Sequence, residues 1–299
     1  MKMWRAGLDA GATKTELLVL DPEDRLVFAA EAPGSSLSLL SAQEVLARWE
    51  DLLERAQAAL GRIPDRLAVG AAGASDPTLQ RTLRYALEAR FPGLDVRIGH
   101  DGLIAHLGAL GGQPGLLVLC GTGSLVLGRS GQNAWIRAGG WGYLLGDEAG
   151  AYRIGLEALR RLARALDDPK RHTELTRALM QHWGVRDRAD LIRILYRSGR
   201  SPAELAPWIA DRLLAGDVQA RRLVEAQLRA LAQQARLVAQ ALDRSARQIS
   251  YSGGLTHLPA FREALVRTLA QALPGWPIFP PRNRPALGAA LYADEVPKP

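Results

Sequence analysis

The sequence is poor in cysteine and has no long apolar run. Cys120 is the single cysteine among 299 residues, so no disulfide can form within the chain, and sparse cysteine suits a reducing compartment. No stretch approaches the ~20 consecutive apolar residues that a membrane-spanning helix needs. The chain starts with a strand-like segment, Met3 to Leu8, rather than the apolar core of a signal peptide. These absences predict a cytoplasmic protein without a membrane partner.

Lysine is also scarce, so the net charge of +7 comes from arginine. Lysine occurs only at Lys2, Lys14, Lys170 and Lys298. The arginines alternate with acids along segments such as 153–166 and 217–247, and no basic run is interleaved with aromatics. We therefore predict a solvated helical surface and no nucleic-acid partner, although the positive balance favours an anionic substrate such as a nucleotide.

Several common site motifs are missing. The five histidines are scattered and no HExxH or CxxC pattern occurs, which disfavours a zinc site. Lys14 follows Thr13 rather than a glycine, so the P-loop pattern is not met. Val126 stands where the dinucleotide fingerprint after Gly121 and Gly123 requires glycine. A P-loop enzyme and a Rossmann dehydrogenase are both disfavoured.

The first third of the chain alternates strand and helix patterns. A capping box begins at Ser41, where a helix with a periodic apolar face starts. The remaining predicted elements are the strands Met3–Leu8, Leu17–Leu20, Arg25–Ala30, Leu67–Ala71 and Asp95–Gly99, and the helix Asp76–Arg90. Strands followed by alternating helices and strands predict a mixed α/β domain.

The same organisation recurs after the break at residues 111–114. The elements predicted there are the strands Leu116–Cys120, Leu125–Arg129, Ala134–Arg137 and Ile249–Ser252, the helical stretch 152–247, and the helices Pro259–Ala272 and Pro285–Ala293. We predict two domains, residues 1–112 and 113–299, the second with a helical insertion over about 152–247. An alternative is that the last helix packs back on the first domain.

Both halves begin with a hairpin whose turn is rich in glycine and threonine. These turns lie at Asp9–Lys14 and Cys120–Ser124. Successive backbone N–H groups in such turns can bind a phosphate, and a threonine hydroxyl adds a hydrogen bond. Ordinary hairpins use the same residues, but two such turns at equivalent places favour a polyphosphate ligand.

Two further features point to chemistry. The run Gly139–Gly150 contains five glycines, and Asp147 and Glu148 lie directly before a helical pattern. Such a run is typical of backbone that approaches a ligand closely, or simply of a solvated glycine-rich loop. Asp101 follows the strand that ends at Gly99, where α/β domains place catalytic groups. Asp101 could equally be a plain helix N-cap.

The segments Asp9–Thr15, Cys120–Ser124, Gly139–Glu148 and Ser252–Gly254 occur in order over the whole chain. Together they resemble the N-acetylglucosamine kinase group of the BadF/BadG/BcrA/BcrD ATPase family, within the sugar kinase, Hsp70 and actin superfamily. The resemblance implies an α/β fold of two ribonuclease H-like (actin-like ATPase) domains, with a duplicated mixed sheet and an interdomain cleft. It also implies an ATP-dependent carbohydrate kinase that uses Mg²⁺.

The resemblance assigns roles to individual residues. Asp101 would be the general base, and Asp9 would hold Mg²⁺ through water. The ATP phosphates would contact Gly11, Thr13, Lys14, Gly121, Thr122 and Gly123, and the adenosine would lie beside Gly253 and Gly254. The sugar would contact Ser36, Gly140, Trp141, Asp147 and Ala151.

Three positions depart from the pattern of the group and affect the sugar side. Ser36 replaces an asparagine, Leu125 follows the second turn where asparagine is frequent, and Ala72 replaces a serine. We therefore predict a kinase of an amino sugar such as N-acetylglucosamine or glucosamine. The alternatives are a sugar sensor that binds nucleotide without turnover, or an activator-type ATPase. Cys120 lies in a phosphate turn rather than a cluster motif, which disfavours the activator. The helical segment offers faces for a homodimer.

Overall fold

The computed structural model describes residues 3–296 and 298, and the chain forms two compact units. The first comprises residues 1–114 and 280–299, and the second residues 115–279. The division expected from sequence lay two residues earlier and placed 280–299 with the second half. The chain instead returns to the first unit after Phe279. No helix in residues 3–296 and 298 is long and apolar enough to cross a membrane.

The elements follow one another in chain order. The first unit begins with β1 (Arg5–Ala10), β2 (Lys14–Leu20), β3 (Leu26–Pro33), α1 (Ala42–Leu60), β4 (Arg66–Ala71), α2 (Pro77–Arg90), β5 (Asp95–His100) and α3 (Asp101–Leu110). The second unit contains β6 (Gly115–Cys120), β7 (Ser124–Arg129), β8 (Trp135–Gly139), α4 (Ala151–Asp167), α5 (Glu174–Trp183), α6 (Arg188–Arg197), α7 (Leu205–Leu214), α8 (Val218–Gln240), β9 (Ile249–Ser252), α9 (Pro259–Ala272) and β10 (Ile278–Phe279). The helix α10 (Pro285–Leu291) completes the first unit.

Each unit is built on a five-stranded mixed sheet, and the two sheets have the same order. The first runs β3-β2-β1-β4-β5 and the second runs β8-β7-β6-β9-β10. In each sheet the first three strands of the unit pair antiparallel, and the later strands pair parallel to the first. The predicted α/β class with a duplicated mixed sheet is therefore confirmed.

Each sheet has a separate apolar core. In the first unit α1 buries Val45, Trp49 and Leu53 against the strands. The predicted capping box is present, because the Ser41 hydroxyl accepts from the Glu44 N–H while the Glu44 carboxylate accepts from the Ser41 N–H. In the second unit α4, α7, α8 and α9 contribute the core residues around β6 and β9.

The structure corrects several element boundaries. The first strand spans Arg5–Ala10 rather than Met3–Leu8, because its ladder with β4 extends to Ala10. The last helix ends at Leu291 rather than Ala293. The two-residue strand β10 has no sequence pattern of its own and was missed. The helical stretch 152–247 proves to be five α-helices separated by turns.

Close approach at glycines places α10 against β1 and α3. A Cβ at Gly7 in β1 would overlap the Ala286 carbonyl of α10, and one at Gly288 would overlap the backbone of Gly108 in α3. Only glycine permits backbones this close. The last helix is thereby fixed to the strand that carries Asp9.

The substitution Gly7→Ala should lower the free energy of unfolding by about 1–3 kcal/mol, the usual cost of overpacking. The matched control is Gly254→Ala, since a Cβ at exposed Gly254 meets no atom within 4 Å. Urea titration of both variants measures the difference. Equal stability of the two variants would show that α10 does not pack on β1 as described.

Candidate active site

Two carboxylates lie at one edge of the first sheet. Asp9 in β1 is opposite Gly70 of β4, which is in turn opposite Gly99 of β5. Asp101 comes two residues after Gly99, at the start of α3. Because these strands are parallel, Asp9 and Asp101 both lie at the carboxyl ends of strands, where α/β sheets bind ligands.

The environment of Asp9 disfavours its charged form. Burial raises its pKa to about 7, with the negative charges of Asp101 and Glu16 acting in the same direction and the Lys14 ammonium opposing them. A cation beside Asp9 would favour the charged carboxylate and lower its pKa. Within residues 3–296 and 298, no three His, Cys, Asp or Glu side chains are grouped to bind a metal on their own. Mg²⁺ commonly uses one or two carboxylates together with phosphates and water.

Asp101 is in the first turn of α3 and is not its N-cap. The N-cap is His100, which makes no side-chain capping hydrogen bond. The Asp101 Oδ1 accepts from the backbone N–H of Gly102 at 2.9 Å. The plain N-cap interpretation of Asp101 is therefore wrong, because Asp101 is the first residue of the helix and its side chain accepts from a first-turn N–H.

The first glycine-threonine turn is held by the backbone. The Gly11 N–H donates to the Lys14 carbonyl at 3.1 Å, and the Gly34 N–H donates to the Thr13 carbonyl at 3.1 Å. Thr13 is exposed. The Lys14 ammonium donates to the Glu31 carboxylate at 2.6 Å, so in this structure it pairs within the sheet.

Ser36 is buried and hydrogen-bonded to nearby backbone. Its hydroxyl donates to the Ala72 carbonyl at 3.4 Å and accepts from the Ser38 N–H at 3.3 Å. The departures at Ser36 and Ala72 from the sugar-kinase pattern are therefore neighbours in space, and the hydroxyl is satisfied without a ligand.

In the second unit the equivalent turn meets the N-terminus of α4. The Gly121 N–H donates to the Gly123 carbonyl at 2.9 Å. The Ala151 N–H donates to the Gly121 carbonyl at 2.9 Å, and the Tyr152 N–H donates to the Thr122 carbonyl at 3.1 Å. Thr122 itself is exposed, whereas Ala151 is buried and its N–H is occupied.

Asp147 ties the glycine-rich loop to this turn. It is buried, with a left-handed φ of 61°, and its carboxylate accepts from the backbone N–H groups of Ser124 and Gly142. Burial raises its pKa. A Cβ at Gly123 would overlap the Asp147 carboxylate, so glycine is required there. A carboxylate has lone pairs beyond these two bonds and can accept more.

Glu148 precedes α4 but does not cap it. Gly150 is the N-cap, and the Glu148 carboxylate accepts from the Gln234 side-chain amide at 2.7 Å. The loop exposes apolar side chains, with Trp141 74% exposed beside Gly140, whose φ of 67° requires a flexible residue.

Gly253 lies against the second turn. It has a φ of 101°, and a Cβ there would overlap the Cys120 carbonyl. Gly254 is exposed beside it. Burial raises the pKa of Cys120 to about 12, so this thiol stays protonated and packs in the core.

Sequence reasoning missed an ion pair beside Asp9. Glu16 of β2 is directly opposite Asp9 in the ladder and is 8% exposed, and its carboxylate accepts from Arg284 at 2.8 Å. Arg284 is the N-cap of α10. The available signal was a glutamate directly before the apolar residues 17–20 of β2, but its partner is 268 residues away.

Comparisons with known proteins place the chain among sugar kinases. The model of the BadF/BadG/BcrA/BcrD ATPase family matches residues 6–293. An N-acetylmuramic acid/N-acetylglucosamine kinase of Clostridium acetobutylicum is 23% identical over 96% of this chain and 97% of its own. An N-acetyl-D-glucosamine kinase of Dictyostelium discoideum is 25% identical over 96% of each chain. The crystal structure of a candidate N-acetylglucosamine kinase from Chromobacterium violaceum is 29% identical, with a TM-score of 0.75 over 97% of this chain and 98% of that one.

Replacing Asp147 should separate its structural role from its charge. Asp147→Ala leaves two backbone N–H groups without an acceptor, which costs about 1–3 kcal/mol. Asp147→Asn keeps an acceptor oxygen and tolerates the left-handed backbone, so it should be more stable than the alanine variant. Urea unfolding measures the stability of both variants. An alanine variant as stable as the wild type would show that Asp147 does not hold the glycine-rich loop to the second turn.

The raised pKa of Asp9 predicts a pH dependence of stability in metal-free protein. The folded state retains a proton that the unfolded state loses, so the free energy of unfolding should fall as pH rises toward about 7 and level off above it. Asp9→Asn removes the titrating carboxyl group and with it this pH dependence. Urea titrations in EDTA from about pH 5 to pH 8 should show the wild type losing stability relative to the variant. If the free energies of unfolding of the two proteins changed in parallel with pH, the pKa of Asp9 would not be raised as described.

Proposed function

We propose that this chain, which belongs to the BadF/BadG/BcrA/BcrD ATPase family, transfers the γ-phosphoryl group of ATP to a hydroxyl of an amino sugar. N-acetylglucosamine and glucosamine are the sugars we favour, because the curated relatives are named as N-acetylglucosamine kinases. The observation that carries the proposal is the pair Asp9 and Asp101 at the carboxyl edge of the first sheet. We propose that the reaction takes place in the cytoplasm with ATP and the sugar as its partners.

Asp9 is the residue we assign to Mg²⁺, held through water. When bound, Mg²⁺ neutralises charge on the phosphates. The raised pKa of Asp9 supports this role, because burial and the neighbouring carboxylates disfavour its charged form and a bound cation would offset both. Lys14 would have to leave Glu31 to reach a phosphate, so we assign it an electrostatic role.

The two glycine-threonine turns are assigned to the ATP phosphates. Thr13 and Thr122 are exposed in the turns of the first and second units, so both hydroxyls are accessible to a ligand. Gly11, Gly121 and Gly123 allow the backbone to approach the phosphate oxygens. Gly253 and Gly254, which follow β9 beside the second turn, are assigned to the adenosine.

Asp101 is the proposed general base. Phosphoryl transfer depends mostly on positioning and charge neutralisation, and a carboxylate that accepts the proton of the attacking hydroxyl completes it. One oxygen of Asp101 already accepts from Gly102, which orients the other. General-base assistance contributes roughly 10²–10⁴-fold.

The sugar side is assigned to the loop of the second unit and to Ser36 of the first. Asp147 would accept hydrogen bonds from sugar hydroxyls with its free lone pairs, and exposed Trp141 beside Gly140 would cover the ring. Ser36 and Ala151 are already hydrogen-bonded, so we assign them to shaping the pocket. Fewer polar side chains on this side imply a sugar specificity that differs from that of the group.

Asp101→Asn should lower kcat by at least about 10²-fold while leaving ATP binding unchanged, because only proton acceptance is lost. Asp76→Asn is the matched control. Asp76 also follows a strand of the first sheet and opens a helix, and asparagine preserves its N-cap. A coupled ADP assay measures turnover and calorimetry measures ATP binding. Near-normal turnover of Asp101→Asn would rule out its role as base.

A further inference from the structure

A cluster of arginines in the second unit lines a cavity that the proposed reaction does not use. Arg161 and Arg164 belong to α4 and Arg222 belongs to α8. The cavity has a volume of about 370 Å³, and its other lining residues are Arg171, Thr173, Thr176 and Gln219. None of these residues is among those assigned above to ATP, Mg²⁺ or the sugar.

Three of these arginines have no ion pair. In the described part of the chain, no carboxylate oxygen lies within 4.0 Å of Arg161, Arg164 or Arg222. Among the acids nearby in sequence, Asp168 is paired with Arg171 at 3.3 Å and Glu157 with Arg160, and Asp167 lies beyond 4.0 Å from all three arginines. The cavity therefore concentrates positive charge that the protein itself leaves unbalanced.

The charges in the cluster act on one another. Arg161 is partly buried, and its guanidinium donates to the Gln219 carbonyl at 3.1 Å. Burial lowers its pKa, and the positive charges of Arg164 and Arg222 act in the same direction, while Glu157 opposes them. An anion in the cavity would relieve this repulsion, so its binding should stabilise the folded protein.

We propose that this cavity is a second anion site that binds a small organic molecule carrying a phosphate group. Guanidinium groups match phosphate oxygens with paired hydrogen bonds, and the Thr173 and Thr176 side chains also line the site. The volume exceeds that of one tetrahedral oxyanion and lies in the range of small-molecule pockets, ~300–1,000 Å³. The aliphatic stems of the arginines supply apolar surface for the organic part.

The test uses glycerol 3-phosphate as the organic phosphate, with inorganic phosphate and uncharged glycerol as comparisons at constant ionic strength. Calorimetry should show one saturable site for glycerol 3-phosphate, weaker binding of inorganic phosphate and none of glycerol. The double variant R164Q/R222Q should weaken binding by at least about tenfold, as expected for the loss of charged hydrogen bonds. Unfolding midpoints without anion confirm that the variants are folded.

The matched control is R197Q/R221Q, which removes the same charge from helices α6 and α8 outside the cavity without breaking an ion pair. It should leave the Kd near the wild-type value. If both double variants weakened binding equally, the effect would come from net charge alone, and the proposed site would be wrong. Loss of binding in Thr122→Ala would place the anion in the phosphate turn and also overturn it, as would the absence of saturable binding to the wild type. None of these results decides the kinase proposal, because the turnover of R164Q/R222Q is measured separately.

Discussion

The crowding of three carboxylates at one edge of the first sheet is the constraint on which the site depends. Asp9, Glu16 and Asp101 are close enough for the latter two to raise the pKa of Asp9. The fold balances one of them, because α10 returns to β1 and brings Arg284 to Glu16. Under the proposed function, Asp9 and Asp101 are the carboxylates that would hold a metal and accept a proton during phosphoryl transfer. The packing glycines of β1, α3 and α10 fix the helix that Arg284 precedes.

The second unit uses a carboxylate in a different way. Asp147 is buried and engages two backbone N–H groups, and it adopts a left-handed conformation that most residues avoid. It fixes the glycine-rich loop to the second turn, while the N–H groups of Ala151 and Tyr152 fix α4 to the same turn. The second turn and the glycine-rich loop share one anchor and would therefore move together, which would suit the proposed reaction because it depends on positioning.

The local parts of this structure could be predicted from sequence. The capping box at Ser41, the helix at Pro259–Ala272 and both glycine-threonine turns follow from short patterns with a direct physical cause. The pairing of Glu16 with Arg284 could not be predicted, since nothing local links positions 268 residues apart. The pairing of Glu148 with Gln234 could not be predicted either, because Gln234 comes from a distant helix. The duplication of the unit was visible in the repeated hairpins, but the strand order was not, and β10 was too short to detect.

The most direct test of the central claim is a coupled ADP-release assay of the wild-type protein with ATP and Mg²⁺ across hexoses, amino sugars and muramic-type sugars. The account predicts ADP release that depends on the sugar, greatest with an amino sugar, and formation of an equal amount of sugar phosphate. A sugar that raises the unfolding midpoint without any ADP release would contradict the kinase and indicate a sensor.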